Sequence, residues 1–487
     1  MKTPRSSDLP EPMPPLPYQF RRIALATGVL LLAACATVDE HRSPEIALPP
    51  AFVYATMPSN AATIEVDWWR VYGDAELNRL LQRVGESNAE LAQAEARWRQ
   101  AMAQVDAARA LAFPQLGVGA SITRSGGSSG SGSSTLGGTT GTRQIYSTGL
   151  DLSWAPDVWG RAARTRVAAE ADADALAALR DAARLALQLT AAQGYVRMRA
   201  LDANLALQMQ ADVAYARSLQ VTQLQYEAGL VARADVIQAE TQLQSLRTQA
   251  FTLQRQRALE ANALALLAGA TPAEVPLFPI DTALPAVPPV PTALPGELLR
   301  RRPDLAAAER QLAAAHARLG VAQTAWLPDF TLSASGTLQA SNLARLLDAP
   351  ARVWSLGPQL AATLFDGGAR RANEVAFNAA YDEQAAAWRG GVLAAVRETE
   401  DALVRVSTLA EQEQQQQRLV ELASENERVV GFRYEAGEIS FLEVATAQNL
   451  ALSARRAAID VRAERLAASM ALVAALGGGW QPPTPVR

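Results

Sequence analysis

Tyr226-Glu227-Ala228-Gly229 returns letter for letter as Tyr434-Glu435-Ala436-Gly437, roughly 210 residues later. Each copy sits inside a long stretch without proline: none occurs between positions 157 and 271, nor between 359 and 481. Proline averages about one residue in twenty, so runs of this length select for uninterrupted helix. Glycine is the residue that accepts a left-handed backbone at a helix end. Each copy therefore marks a place where one long helix stops and a second folds back. From 160 to 227 a single helix reaches about 100 Å at 1.5 Å per residue, longer than an ordinary globular core. After the first turn, Val236, Ala239, Leu243, Leu246, Ala250 and Leu253 alternate three- and four-residue steps, the seam of a coiled coil.

The same offset relates other parts of the chain. Glu90-Leu91 matches Asp304-Leu305, Pro114 matches Pro328, Gly119-Ala120-Ser121 matches Ser333-Ala334-Ser335, and Asp157 matches Asp366. A period this long is not a solenoid unit. It is a duplicated half-protein, with repeats at 75–271 and 297–480 joined by a Pro-rich linker at 272–296 that is extended and semi-rigid by composition. Each repeat opens with a helix, 75–112 and 295–325, continues with a pair of strands, and ends in the long helical hairpin.

The strands are expected near 114–123, 143–154, 328–338 and 354–365. Leu116, Val118, Ala120 and Ile122 alternate with small or polar residues, as do Tyr146, Leu150, Leu152 and Trp154, and Phe330, Leu332 and Ala334. The fourth run carries Trp354, Leu356, Leu360 and Leu364, with Pro358 predicting a bulge or local bend. About ten residues with one apolar and one polar face is the pattern of a membrane barrel strand, and the aromatics lie near the strand ends. A Gly/Ser tract at 125–142 reads as a loop between the first two strands. Two amphipathic hairpins covering a soluble core would show the same alternation. Four strands cannot close a barrel, and open edges go unpaired in lipid. Three chains supplying four each would make twelve. The fold expected is mainly α with a membrane β-barrel: duplicated coiled-coil hairpins plus four strands per chain, a trimer enclosing a twelve-stranded barrel and an α-helical tunnel.

The first 34 residues read as a signal peptide: Arg21-Arg22, an apolar run from 23 to 34, then Cys35, the only cysteine. Leu32-Ala33-Ala34-Cys35 resembles the bacterial lipobox, which implies covalent lipid on Cys35 and no other cofactor. Ala36, rather than Asp, suggests the outer membrane of a Gram-negative bacterium, and the Pro-rich leader leaves Met13 as an alternative start to Met1. Residues 35–74 form the anchored N-terminal segment and 481–487 a tail. With one cysteine the mature chain has no disulfide. A net charge of −4 argues against a nucleic-acid partner. The two histidines, His41 and His316, have no nearby Cys or His to form a metal site, and no phosphate loop or nucleophile elbow is present. No enzyme is expected.

Leu299-Arg300-Arg301-Arg302-Pro303-Asp304-Leu305 with Glu309 resembles the Leu-Arg-x-Arg-Pro-Asp motif of TolC-like outer-membrane factors, in the NodT/OprM-type branch of efflux lipoproteins. Trp68-Trp69 with Asp74 and Leu77, Gly357-Pro358 with Leu364-Phe365-Asp366-Gly367-Gly368, Arg433 to Gly437 with Phe441-Leu442-Glu443-Val444, and Leu476-Gly477-Gly478-Gly479-Trp480 resemble further signatures of that branch, in order along nearly the whole mature chain. The resemblance implies a homotrimeric duct that passes small molecules outward. It also implies docking to a periplasmic adaptor and to an inner-membrane pump of the resistance-nodulation-division class. By position it implies that Asp235 and Glu443, each six residues past its turn glycine, ring the periplasmic mouth, with Arg233 able to pair with an acid. Carboxylate rings favour cations in a narrow pore. The branch's second acid in the later hairpin is Thr446 here, and solvated helix faces would equally explain both acids. The tips, Gly229, Leu230, Val231, Gly437 and Ile439, are the candidate adaptor surface because apolar residues stand where a solvated turn favours polar ones. Other readings are the outer-membrane duct of a type I protein or peptide secretion system and a periplasmic adaptor lipoprotein.

Overall fold

The computed structural model describes residues 46–54, 64–126, 142–274, 280–289, 296, 300–346 and 352–481. The signal peptide, Cys35, His41, most of the Gly/Ser tract, parts of the Pro-rich linker and nearly all of the tail lie outside them. Helices α1 (Ala75–Ser87) and α2 (Ala89–Ala110) lead into β1 (Gln115–Gly126) and β2 (Thr142–Trp154), then α3 (Arg161–Glu227) and α4 (Arg233–Leu267). The second repeat runs α5 (Pro303–Thr324), β3 (Asp329–Ala340), β4 (Arg352–Ala361), α6 (Ala369–Glu435) and α7 (Phe441–Ala475). The two long helices have the same length, 67 residues, and so do the two returning helices, 35.

The two compact units do not coincide with the two repeats. One takes residues 103–170 and 313–381; the other takes 43–102, 171–312 and 382–487. Each unit is thus assembled from both halves of the sequence. In the first, the four strands form one antiparallel sheet in the order β1-β2-β3-β4. In the second, the helical core gathers Trp68, Trp69, Tyr72, Leu77, Leu81, Tyr195, Leu264 and Met470.

The duplication is visible in hydrogen bonds. At the first turn Leu230 N donates to Gln225 O (2.8 Å) and Gly229 N to Tyr226 O (2.9 Å). At the second, Glu438 N donates to Arg433 O (3.0 Å) and Gly437 N to Tyr434 O (2.9 Å). Both are Schellman closures, and both glycines are left-handed, with φ of 74° and 75°. The returning helices end alike, at Gly269 and Gly477. A methyl group on either would lie 2.0 Å from a carbonyl oxygen, that of Ser87 or that of Arg301. The orphan carbonyls at these helix ends are also met in parallel: Asn88 Nδ2 donates to Leu267 O (2.9 Å) and an Arg302 guanidinium N–H to Ala475 O (3.3 Å). Asp157 and Asp366 both cap the long helices, accepting from Ala162 N and Ala163 N, and from Gly368 N and Arg370 N.

Three expectations are corrected. The helix expected over 75–112 is two helices, because Asn88 leaves the helical conformation and its Oδ1 accepts from Glu90 N and Leu91 N, starting a new helix. The helix expected over 295–325 is interrupted at Arg302: positions 296, 300 and 301 are helical, and a new helix starts at Pro303, since proline favours a first helical position. The fourth strand ends at Ala361, so Leu364 lies beyond it, and no bulge occurs at Pro358: the β3–β4 register runs unbroken from Asp329↔Ala361 to Leu338↔Arg352. Pro358 sits opposite Leu332 in that register, so its missing N–H does not shift the pairing with β3.

The repeats are joined by polar contacts between α3 and α7: Ser218 with Gln448, Tyr215 with Asn449, Gln208 with Arg456 and Asn204 with Asp460. Near the N-terminus, Asp74 Oδ1 caps α1 by accepting from Glu76 N and Leu77 N. Leu77, Leu80, Leu81 and Val84 then bury one stripe of that helix, each worth about 1.5–3 kcal/mol.

Candidate functional site

The sheet register sorts its side chains into two unlike faces. Residues directly across a ladder share a face. Leu116, Leu152, Ala334 and Leu356 form one row, and Val118, Leu150, Gly336 and Trp354 the next. The large members at the sheet edges are open: Val118 is 80% exposed and Trp354 78%. On the opposite face the rows read Gln115, Ser153, Ser333, Gly357 and then Gly117, Asp151, Ser335, Ser355. Hydroxyl pairs bridge neighbouring strands there, Ser121 with Ser147 at 2.7 Å and Ser335 with Ser355 at 2.8 Å. An apolar face this continuous is not maintained against water. It suits hydrocarbon on one side and an aqueous lumen on the other. Among the described residues, both edges, β1 and β4, lack a neighbour within the chain. No described helix is long and apolar enough to cross a membrane.

The hairpin ends form the second candidate region. Leu230 is 74% exposed. Val231 and Ile439 are half-buried, and Ile439 packs on a small core of Ala239, Tyr434, Phe441, Val444 and Ala445. Tyr434 meets Phe441 edge-on, and its hydroxyl bonds the Thr222 hydroxyl at 2.8 Å, tying the second hairpin to the first. Asp235 is half-buried and its Oδ2 accepts from Ala232 N at 3.1 Å, so it caps the first turn of α4. Burial raises the Tyr434 hydroxyl above its ordinary value; the Thr222 hydrogen bond opposes this and the Asp235 charge adds to it. Glu443 lies exposed in the first turn of α7, where an acid complements the helix dipole. Arg233 is exposed, and among the described residues no ion pair within the chain joins it to Asp235 or Glu443. Sequence reasoning overlooked the Arg433–Glu438 ion pair (3.2 Å) that straddles Gly437. Opposite charges flanking the turn were its available signal.

The Leu-Arg-x-Arg-Pro-Asp stretch also acquires a physical reason. Arg302 is buried and donates to Asp304 (3.0 and 2.7 Å), Glu398 (2.8 Å) and the Ala475 carbonyl. Those two carboxylates hold its guanidinium above the ordinary value against the opposing effect of burial, which is the largest single influence. Pro303 starts α5 and Asp304 stands in its first turn, so one short motif starts a helix and closes another.

The outer membrane efflux protein family model matches residues 80–270 and again 294–478, one match per repeat. The chain belongs to the outer membrane efflux protein family. It is 33% identical over 470 residues to the pyoverdine export outer membrane protein OpmQ of Pseudomonas aeruginosa, covering 95% of this chain and 98% of that one. It is 30% identical over 475 residues to nodulation protein T of Rhizobium leguminosarum bv. trifolii, with the same coverage of 95% and 98%. The solved outer-membrane channel OprN superposes with a TM-score of 0.82 at 29% identity, over 92% of this chain and 100% of that one. The TolC-like fold, the outer-membrane location and a role in efflux follow for this member of the family. The apolar and polar sheet faces are accordingly the lipid-facing and water-facing surfaces of an outer-membrane channel.

Proposed function

We propose that three copies of this chain form the outer-membrane duct of a tripartite efflux system, receiving small molecules from a periplasmic adaptor and an inner-membrane pump of the resistance-nodulation-division class. The observation that carries the reading is the two-faced sheet with both edges open: four strands per chain with lipid on one side need neighbours. Three chains supply twelve strands, an even number within the bacterial range. The duct makes and breaks no bond, and the energy comes from the pump. Exposed Leu230 and half-buried Val231 and Ile439, at the turns of Gly229 and Gly437, fit an adaptor contact. Asp235 and Glu443, one past each turn, give six carboxylates to the mouth of a trimer, with Arg233 placed to pair with an acid of a neighbouring chain. Lipid on Cys35 adds a second hold on the same membrane.

The test is transport in whole cells. Deleting the gene should raise intracellular accumulation of a fluorescent pump substrate, and the intact chain should restore efflux and co-purify with adaptor and pump. Restored efflux by a variant truncated at both hairpin tips would overturn the adaptor assignment.

A further inference from the structure

The polar face of the sheet holds a hollow of about 250 Å³, built by missing side chains. Gly119 and Gly149 face each other across the β1–β2 ladder and floor it, while Ser147, Ser335 and Thr337 rim it with hydroxyls. Asp151 stands at its edge. Its carboxylate lies over Gly117, where a methyl group would come within 2.7 Å of Oδ2 and 2.9 Å of Oδ1. Glycine at 117 is therefore what lets the carboxylate lie there. Asp329, on the same face, is held by Arg161 at 3.5 Å. Among the described residues no hydrogen bond or ion pair engages Asp151, and its side chain is open to solvent.

We propose that Asp151 and this hydroxyl-rimmed hollow form a cation station in the barrel wall, which takes a positively charged group such as a protonated amine on passing cargo. The station rests on the polar face lining an aqueous lumen, and it is distinct from the acids at the hairpin tips. Hydroxyl oxygens and one carboxylate supply acceptors for an ammonium group, and the glycine floor supplies the room.

The local potential is read by thiol chemistry. Ser147→Cys, on the rim, is modified in outer-membrane preparations by a cationic and by an anionic methanethiosulfonate at low salt, with Asp151 intact or as Asp151→Asn. A protein without the added cysteine sets the background. Asp151 lies four residues along the strand, about 13 Å away, and its charge acts with opposite sign on the two reagents, so the cationic-to-anionic rate ratio should fall roughly two- to threefold in Asp151→Asn. Ser335→Cys, on the opposite rim, repeats the measurement should the first variant fail to assemble. An unchanged ratio at a site both reagents reach would overturn the station while leaving the lumen assignment standing. A site that neither reagent reaches in the membrane would overturn both.

Discussion

Four glycines occupy equivalent places in the two repeats, and the structure assigns them unequal costs. Gly229 and Gly437 at the tips have φ of 74° and 75°, and a methyl group added at either would meet nothing within 4 Å. Replacement by alanine there meets only the left-handed backbone penalty, about 1–2 kcal/mol. Gly269 and Gly477 at the far ends of the same hairpins have φ of 69° and 99°, and the added methyl would lie 2.0 Å from a backbone oxygen. Backbone must then move in addition to the strain, so the cost should reach about 4 kcal/mol or more. The assay is guanidinium unfolding of the purified protein in detergent followed by far-ultraviolet circular dichroism, comparing Gly229→Ala and Gly437→Ala with Gly269→Ala and Gly477→Ala. Gly229→Asn should be milder than Gly229→Ala, since asparagine visits the left-handed region more readily. Equal losses at the inner and tip positions would refute the argument that close carbonyl approach, and not turn geometry alone, fixes Gly269 and Gly477.

Arg302→Met should destabilise by about 2–3 kcal/mol, below the full cost of breaking a buried pair because Asp304 and Glu398 are nearly half exposed; thermal unfolding measures it. Burial pushes the Tyr72 hydroxyl up to about 12, so the folded state holds its proton more tightly than the unfolded chain. That stability is fully present below about pH 10 and is lost as pH rises towards 12, on the order of 2–3 kcal/mol; Tyr72→Phe should flatten the alkaline limb of a stability–pH curve. The Asp235→Ala, Glu443→Ala double variant should show weaker cation selectivity and more frequent opening in planar bilayers, and wild-type behaviour would return both residues to the role of solvated helix-start acids. Cys35→Ser should abolish acyl labelling while leaving the sheet in the membrane, and mass spectrometry of the mature N-terminus checks it.

Much of this architecture was legible because it is written in short-range chemistry. The turn glycines, the proline-free runs and the period-two strands each act through neighbours in sequence. Asn88 was legible in principle, as a helix-starting residue after Gly85 and Ser87, but the surrounding helix formers masked it. Pro358 misled because whether a missing N–H disturbs a ladder depends on the ladder position it occupies, which only the paired register reveals. Arg302 could be recognised within a motif, but its contact with the Ala475 carbonyl spans 173 residues and no local pattern encodes it. Tyr226 and Tyr434 sit in identical tetrapeptides, yet Tyr226 is exposed and Tyr434 buried. The repeats pack on each other unequally, and sequence identity of the turns does not carry that information. Asp151 escaped notice as one polar residue among many until the register placed it beside Gly117 and above a glycine floor.

The central claim is that the open edges of β1 and β4 are closed by other copies of the same chain. Native mass spectrometry of the protein released intact from detergent micelles tests it most directly. A mass of three mature chains is predicted, whereas a stable single-chain particle that still conducts across a bilayer would contradict the account.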